Sequence, residues 1–264
     1  MESPWNSRVP SGLEEHAGDK QFATTLARGL ELLHCFTPER PILGNSEMAS
    51  MLKLPKATVS RLTYTLMRLG YLIPTEYYGK YQLGPATLSL GHPLLAQFTI
   101  RRSASPLMMN LAKRLGCNVS IGIRDRFSMV YIEVIRASAG VVYAHDVGST
   151  HPLLGTSIGR AYLLGCTPAA RESLINQFKV KEPEQWAHYG AKVQESFKEF
   201  AQFGCCTAMG EVVPDVQGVA VPLGKIHGIE VAAMSCTFQG RALEVSWLRK
   251  EVAPQLQAIA REIT

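Results

Sequence analysis

The 264-residue chain has no apolar run long enough to span a membrane and no signal-peptide pattern at its N-terminus. These absences set the expectation of a cytoplasmic protein with no membrane partner. Its six cysteines (Cys35, Cys117, Cys166, Cys205, Cys206 and Cys236) include no CxxC and form no regular framework, which excludes a disulfide scaffold. In a reducing compartment they serve as buried apolar residues, and only the adjacent Cys205 and Cys206 suggest a redox switch. The seven histidines lack metal-ligand spacing, with His145 and His151 six apart, so no metal and no cofactor are expected. Ser157, His145, Asp146 and Glu211 assemble on paper into an acid–base or nucleophilic set. No Gly-x-Ser-x-Gly elbow, phosphate loop or metal motif accompanies them, and catalysis is not expected. The chain also lacks a long basic tail and an aromatic stacking platform, which argues against architectural and RNA-binding roles.

What is present is enough for two globular domains: 46% apolar and 19% charged residues in a length that exceeds one typical domain. The most informative stretch is Asn45–Gly70. Met48, Ala49 and Leu52 give one short helix an apolar side, and Leu54 ends a tight break. Pro55 then stands where its missing N–H costs a new helix nothing. Val59, Leu62, Leu66 and Leu69 recur as a single stripe. The other face carries Lys56, Ala57, Ser60, Arg61, Tyr64 and Arg68, with no acid. This pattern predicts a helix-turn-helix with a recognition helix over Pro55–Gly70. Tyr71–Pro74 and Tyr81–Leu83 flank Thr75–Lys80 as a β-hairpin, the wing of a winged helix-turn-helix, with Lys80 near its tip. From Lys20 to Gly84 there are eight Lys/Arg against four Asp/Glu, a local net of +4 in a chain of +5. Most of the basic excess thus falls where phosphates would be met.

The run LPKATVSRLTYTLMRLGYL resembles the recognition segment of the IclR family of bacterial transcriptional regulators. That segment reads Leu-Pro-Lys-Ser-Thr-x-x-Arg-Leu-Leu and is followed by Gly-Tyr-Leu. Ala57 stands where the family usually has Ser and Thr63 where it has Leu, and Tyr81-Gln82-Leu83-Gly84 matches the close of the wing. A second segment, LLGTSIGRAYLLG, is similar to the family's Ser/Ala-x-Gly-Lys/Arg-Ala-x-Leu, which forms one wall of the effector site. Glu211–Pro222 resembles Glu-x-x-x-Gly-x-x-Cys-Ile-Ala-Ala-Pro, with Asp215, Gln217 and Gly218 replacing the usual Gly, Arg and Cys. Losing the Cys side chain at Gly218 would enlarge the pocket or alter its backbone. The strand Ala232–Thr237 resembles the one bearing two alternating hydroxyl residues. Ser235 and Thr237 share a strand face, so both can meet one ligand. The helix opening at Ser157-Ile158-Gly159 offers free N–H groups to a carboxylate.

In chain order, residues 1–19 lack periodicity and read as a disordered arm. A winged helix-turn-helix spans residues 20–84. It opens with a helix carrying Phe22, Leu26, Leu30 and Leu33, and Pro41-Ile42-Leu43 supplies a short strand against the wing. Residues 85–99 form a linker helix interrupted at Gly91-His92-Pro93, and the resemblance implies that it pairs with its copy. Residues 100–264 form an α+β effector-binding domain, GAF-like by resemblance. Its strands are expected at Asn118–Arg124, Met129–Ile135, Val141–His145, Cys205–Glu211, Gln217–Leu223 and Gly228–Phe238. Its helices are expected at Thr156–Leu164, Pro168–Phe178, Tyr189–Phe203 and from Val245 to the end.

The expected function is a homodimeric, or dimer-of-dimers, transcriptional regulator that binds double-stranded operator DNA as repressor or activator. Lys56, Ala57, Thr58, Ser60, Arg61, Tyr64 and Lys80 are the expected DNA contacts. Ser157, Ile158, Gly159, Glu211, Gly218, Ser235 and Thr237 are the expected contacts of a small organic-acid effector, carboxylate or aromatic. Two alternatives remain at this point: a small-molecule-metabolising enzyme with a DNA-binding domain, and a redox-responsive regulator using Cys205 and Cys206.

Overall fold

The computed structural model describes residues 18–137, 146–226 and 228–264. They form two compact units that meet along the chain between Ala96 and Gln97. All but the last two residues of the expected N-terminal arm, and the whole expected strand Val141–His145, lie outside the described residues.

The first unit contains helices α1 (Thr24–His34), α2 (Asn45–Leu52), α3 (Lys56–Arg68) and α4 (Pro85–Gln97) and strands β1 (Leu43–Gly44), β2 (Leu72–Pro74) and β3 (Lys80–Leu83). The strands make an antiparallel sheet in the order β1-β3-β2. Leu32, Phe36, Leu43, Met48, Leu52, Val59, Leu62, Leu66 and Leu72 close one core between sheet and helices. The apolar stripe of α3 differs from the expected one at its end. Leu69 is the C-cap and is exposed. Thr63 is buried in the stripe instead, its hydroxyl satisfied by donating to Val59 O at 3.0 Å. Pro55 is not the first helical residue but the N-cap, still extended at ψ 137°. On α1 the buried positions are Gly29, Glu31 and Leu32, so Leu26 and Leu30, expected inside, face out. The break expected in the next helix is absent, because α4 runs through Pro93 at the loss of one backbone donor. None of its thirteen residues is buried.

The second unit opens with α5 (Ile100–Leu115) and is built on one six-stranded antiparallel sheet in the order β6-β5-β4-β9-β8-β7. Its strands are β4 (Asn118–Asp125), β5 (Ser128–Ile135), β6 (Thr150–Pro152), β7 (Cys206–Met209), β8 (Val216–Ile226) and β9 (Ile229–Gln239). Strands from both ends of the domain meet at the centre, where β4 pairs with β9. Between them the chain forms α6 (Ser157–Gly165), α7 (Pro168–Lys181) and α8 (Pro183–Phe203). After β9 a short turn of helix, α9 (Val245–Trp247), widens into a π-helical turn over Leu248–Val252 and continues as α10 (Ala253–Ile263). Strand β6 is absent from the sequence pattern because three residues are too few to show alternation. Helix α8 begins six residues earlier than the apolar spacing marks, at Pro183, a helix-starting residue. Asn118–Ile123 of β4 are buried on both strand faces, so helices cover the sheet on both sides.

Candidate functional site

On the first unit, α2 ends at Lys53, which takes the left-handed conformation at φ 52°, and α3 begins three residues later. That turn holds α3 with its stripe inward and Lys56, Ala57, Ser60, Arg61, Tyr64 and Arg68 exposed. Thr58 is half-buried at the edge of this face. Thirteen residues at 1.5 Å make α3 ~20 Å long, a length that fits a major groove. Lys80 is not a free wing-tip cation. Its ammonium pairs with Glu47, whose Oε2 also accepts the Gly44 N–H at 2.6 Å and so caps α2. The tip itself is Tyr77-Tyr78-Gly79, with both rings exposed.

The second unit holds a cavity of about 40 Å³ between the start of α6 and the sheet. One water needs roughly 10–15 Å³ on the same scale, so the space suits a compact molecule. Gly155, Thr156, Ser157 and Ile158 form one wall. Gly218 of β8 and Thr237 of β9 lie opposite, and Tyr131 and His151 stand side by side with ring centroids 4.8 Å apart. Val212, Val213 and Val216 close the apolar side. Thr156 caps α6 by accepting the Gly159 N–H at 3.2 Å. That uses the amide of Gly159, which was expected to bind effector. The amides of Ser157 and Ile158 open the helix and have no intrahelical acceptor, so they remain as the donors there. Gly159 matters for packing instead. A Cβ there would sit 2.0 Å from Leu153 O, so only glycine lets the helix dock. Gly218 lines the cavity as expected. A Cβ at that position would lie 3.0 Å from Ser157 Oγ, and the serine hydroxyl takes up the room.

Glu211 lines the cavity, but both of its carboxylate oxygens are engaged. Oε1 accepts from Arg160 Nη2 at 3.1 Å and Oε2 accepts the Met209 N–H. Arg160 is 1% exposed and also donates to Thr207 O at 2.7 Å. The pair therefore pins the β7–β8 connection onto α6. Beyond it, Glu199 accepts from Thr207 N, Thr207 Oγ1 and Arg249 Nε at 2.9, 2.5 and 2.7 Å. Ser235 does not line the cavity. It lies one step further along the same face of β9, buried, with its hydroxyl unpartnered. Ser120 Oγ and Asn118 Oδ1 on the neighbouring strand are also buried and unpartnered. Each such group costs about 1–3 kcal/mol if nothing meets it. The chain segments that carry these residues were legible as strands, but the β4–β9 pairing that brings them together was not. Tyr131 and His151 were also missed as parts of the site, since nothing local marks them, while Arg160 was visible as the basic residue of the Ser157–Ala161 motif but its attachment to Glu211 was not.

Asp146 holds Arg136 at 3.0 Å while Glu211 holds Arg160, so the two acids of the paper catalytic set serve different arginines. His145 lies outside the described residues. Burial pushes the Cys205 thiol up to about 12 and Cys206 higher still, and Glu199 adds to both. Buried thiols with so little thiolate at neutral pH are poor redox sensors.

Residues 25–73 match the IclR helix-turn-helix domain and residues 92–264 match the bacterial transcriptional regulator IclR C-terminal domain. The HTH-type transcriptional regulator TsaQ1/TsaQ2 of Comamonas testosteroni is 32% identical over 258 residues, which cover 97% of this chain and 92% of that protein. The crystal structure of an IclR family transcriptional regulator from Brucella abortus is similar with a TM-score of 0.82 at 40% identity, covering 93% of this chain and 92% of that one. An IclR homologue from Microbacterium hydrocarbonoxydans, complexed with 4-hydroxybenzoate, shares the fold with a TM-score of 0.66 at 21% identity, covering 90% and 99%.

Proposed function

This chain belongs to the IclR family of bacterial transcriptional regulators, and on that premise we propose how its two units divide the work. It is a DNA-binding regulator of transcription with a domain for a small-molecule effector. Helix α3 enters the major groove and presents Lys56, Ala57, Ser60, Arg61 and Tyr64 to bases and phosphates, with Thr58 at the groove edge. The acid-free outward face of α3 carries this reading. Lys80 works through Glu47, seating the wing on α2, while Tyr77 and Tyr78 are the wing residues that meet DNA.

No residue of helix α4 is fully buried, only Ala86, Thr87 and Leu95 are half-buried, and Leu88 is 81% exposed, with Leu90 and Leu94 exposed beside it. A helix so apolar requires a partner surface, and a second copy supplies one. The working unit is a homodimer, and two such dimers can build a tetramer through other surfaces. A two-fold dimer reads an inverted repeat with half-sites ~34 Å apart or a multiple. Operator position then decides between repression and activation.

The effector is a small organic acid. Its carboxylate meets the amides of Ser157 and Ile158 and the hydroxyl of Thr237, and its body lies against Tyr131, His151 and the valines. A compact acid fits directly, while an aromatic one requires the Val212–Val216 wall to move outward. Effector and DNA each favour one arrangement of the dimer, so each changes the other's affinity. The direct test is Arg61→Ala. Operator affinity should fall in a folded protein, and unchanged affinity for both specific and random DNA removes Arg61 from the interface.

A further inference from the structure

We propose that Asn118 and Ser120 form, with Ser235, a second recognition subsite beneath the cavity, which reads an uncharged hydroxyl or carbonyl group of the effector. The proposal rests on the carboxylate reading above. In the β4–β9 register Asn118 lies opposite Thr237 and Ser120 opposite Ser235. Alternate residues of a strand share a face, so these four side chains make one polar block. Thr237 lines the cavity, and Gly218 opposite it sits under Ser157, which identifies this face as the one beneath α6. The neighbouring positions on the face carry little bulk. Ala220 lies opposite Ser235, and Gly122 follows Ser120 with the Ile158 Cδ1 3.0 Å from where its Cβ would be.

Asn118, Ser120 and Ser235 are 4%, 0% and 1% exposed, and Asn118 Oδ1, Ser120 Oγ and Ser235 Oγ have no hydrogen-bond partner. Their chemistry is complementary to a neutral group. A serine hydroxyl both donates and accepts, and the Asn118 oxygen accepts. An effector hydroxyl can therefore donate to Asn118 and accept from a serine, and a carbonyl can accept from both serines. Arg160 directs its Nη2 to Glu211 Oε1 and Thr207 O, and none of the four side chains of the block carries a positive charge to meet a second carboxylate.

Two measurements on the full chain test this. The first is the melting temperature of ligand-free Ser120→Ala and Ser235→Ala. Removing an unpaired buried hydroxyl should leave it unchanged or raised. A drop of several degrees shows the hydroxyls to be structurally bonded and overturns the subsite. The second is calorimetric binding of matched acids: glycolate with acetate, lactate with propionate, and 4-hydroxybenzoate with benzoate. In at least one pair the hydroxylated acid should bind wild type about tenfold tighter or more. Ser120→Ala should bring that ratio close to one without changing the affinity of the deoxy acid, whereas Thr237→Val should weaken both members alike. If acids bind and Thr237→Val weakens them, but the ratio is one in wild type or survives Ser120→Ala, the subsite falls and the carboxylate site stands. If no acid binds, or Thr237→Val has no effect, the carboxylate reading falls and the subsite falls with it.

Discussion

Arg61 is exposed on α3 and faces away from Val59, Leu62 and Leu66, so its guanidinium is available without disturbing the core. If it forms a bidentate contact with guanine, Arg61→Ala should lose ~1–3 kcal/mol of discrimination at one base pair. If it meets phosphate, affinity should fall evenly across sequences and the salt slope should shrink by about one unit. Lys53 presents a different trade. A left-handed conformation at φ 52° disfavours any side chain, and the residue precedes the recognition helix. Lys53→Gly should therefore stabilise the fold by about 1 kcal/mol in chemical denaturation. Lys53 is exposed beside the start of α3; if it meets a phosphate, the same variant should bind DNA more weakly with a smaller salt slope, and unchanged or tighter binding would exclude that contact. Glu47 gives a pH signature. The Lys80 ammonium, and then the Gly44 N–H, hold its carboxyl below the ordinary 4.5. A depressed folded value means the stabilisation is present above 4.5 and fades as pH falls through the depressed value. Both side chains are substantially exposed, so the pair contributes only about 0.2–1 kcal/mol. Glu47→Gln should melt below wild type at pH 7 and converge with it at strongly acidic pH.

At the scale of elements, the start of α6 organises the second unit. Thr156→Ala removes the cap on Gly159 and should cost about 0.5–2 kcal/mol. If the carboxylate reading holds, acid affinity should weaken in parallel, because the Ser157 and Ile158 amides lose their fixed direction. Gly159→Ala should be far worse, since the clash is with the Leu153 backbone rather than with a movable side chain. Helix α4 makes the opposite prediction: charges at Leu88 and Leu94 should leave the monomer folded and abolish dimers in analytical ultracentrifugation. Elements of this kind were largely legible in the sequence. The recognition helix, the hairpin and Thr167 with Pro168 at the start of α7 carry local signals that tertiary structure had no reason to override. Orientation was less legible. On α1, Leu26 and Leu30 follow a helical period yet face out, because spacing identifies an apolar face but not what it packs against. The polar block of Asn118, Ser120, Ser235 and Thr237 joins strands more than a hundred residues apart, and no local pattern encodes their register. Glu211 was visible as a motif residue, while its attachment to Arg160 requires α6 and the β7–β8 connection to be folded together.

For the whole molecule, the proposed function joins a basic reading helix to an acid-binding cavity through one dimeric assembly. Reciprocity gives this arrangement a quantitative form, since an acid that weakens operator binding by some factor must itself bind more weakly, by that factor, to the operator complex. The central claim, however, is sequence-specific DNA recognition by a two-fold dimer through α3. It is tested most directly by selecting bound duplexes from a random DNA pool with the purified chain and sequencing them, with Arg61→Ala run in parallel. The expected result is enrichment of an inverted repeat whose half-site centres lie ~34 Å apart or a multiple of it, with the enrichment lost or relaxed at defined positions in Arg61→Ala. A pool that stays random, or an asymmetric preference that Arg61→Ala leaves intact, would contradict it.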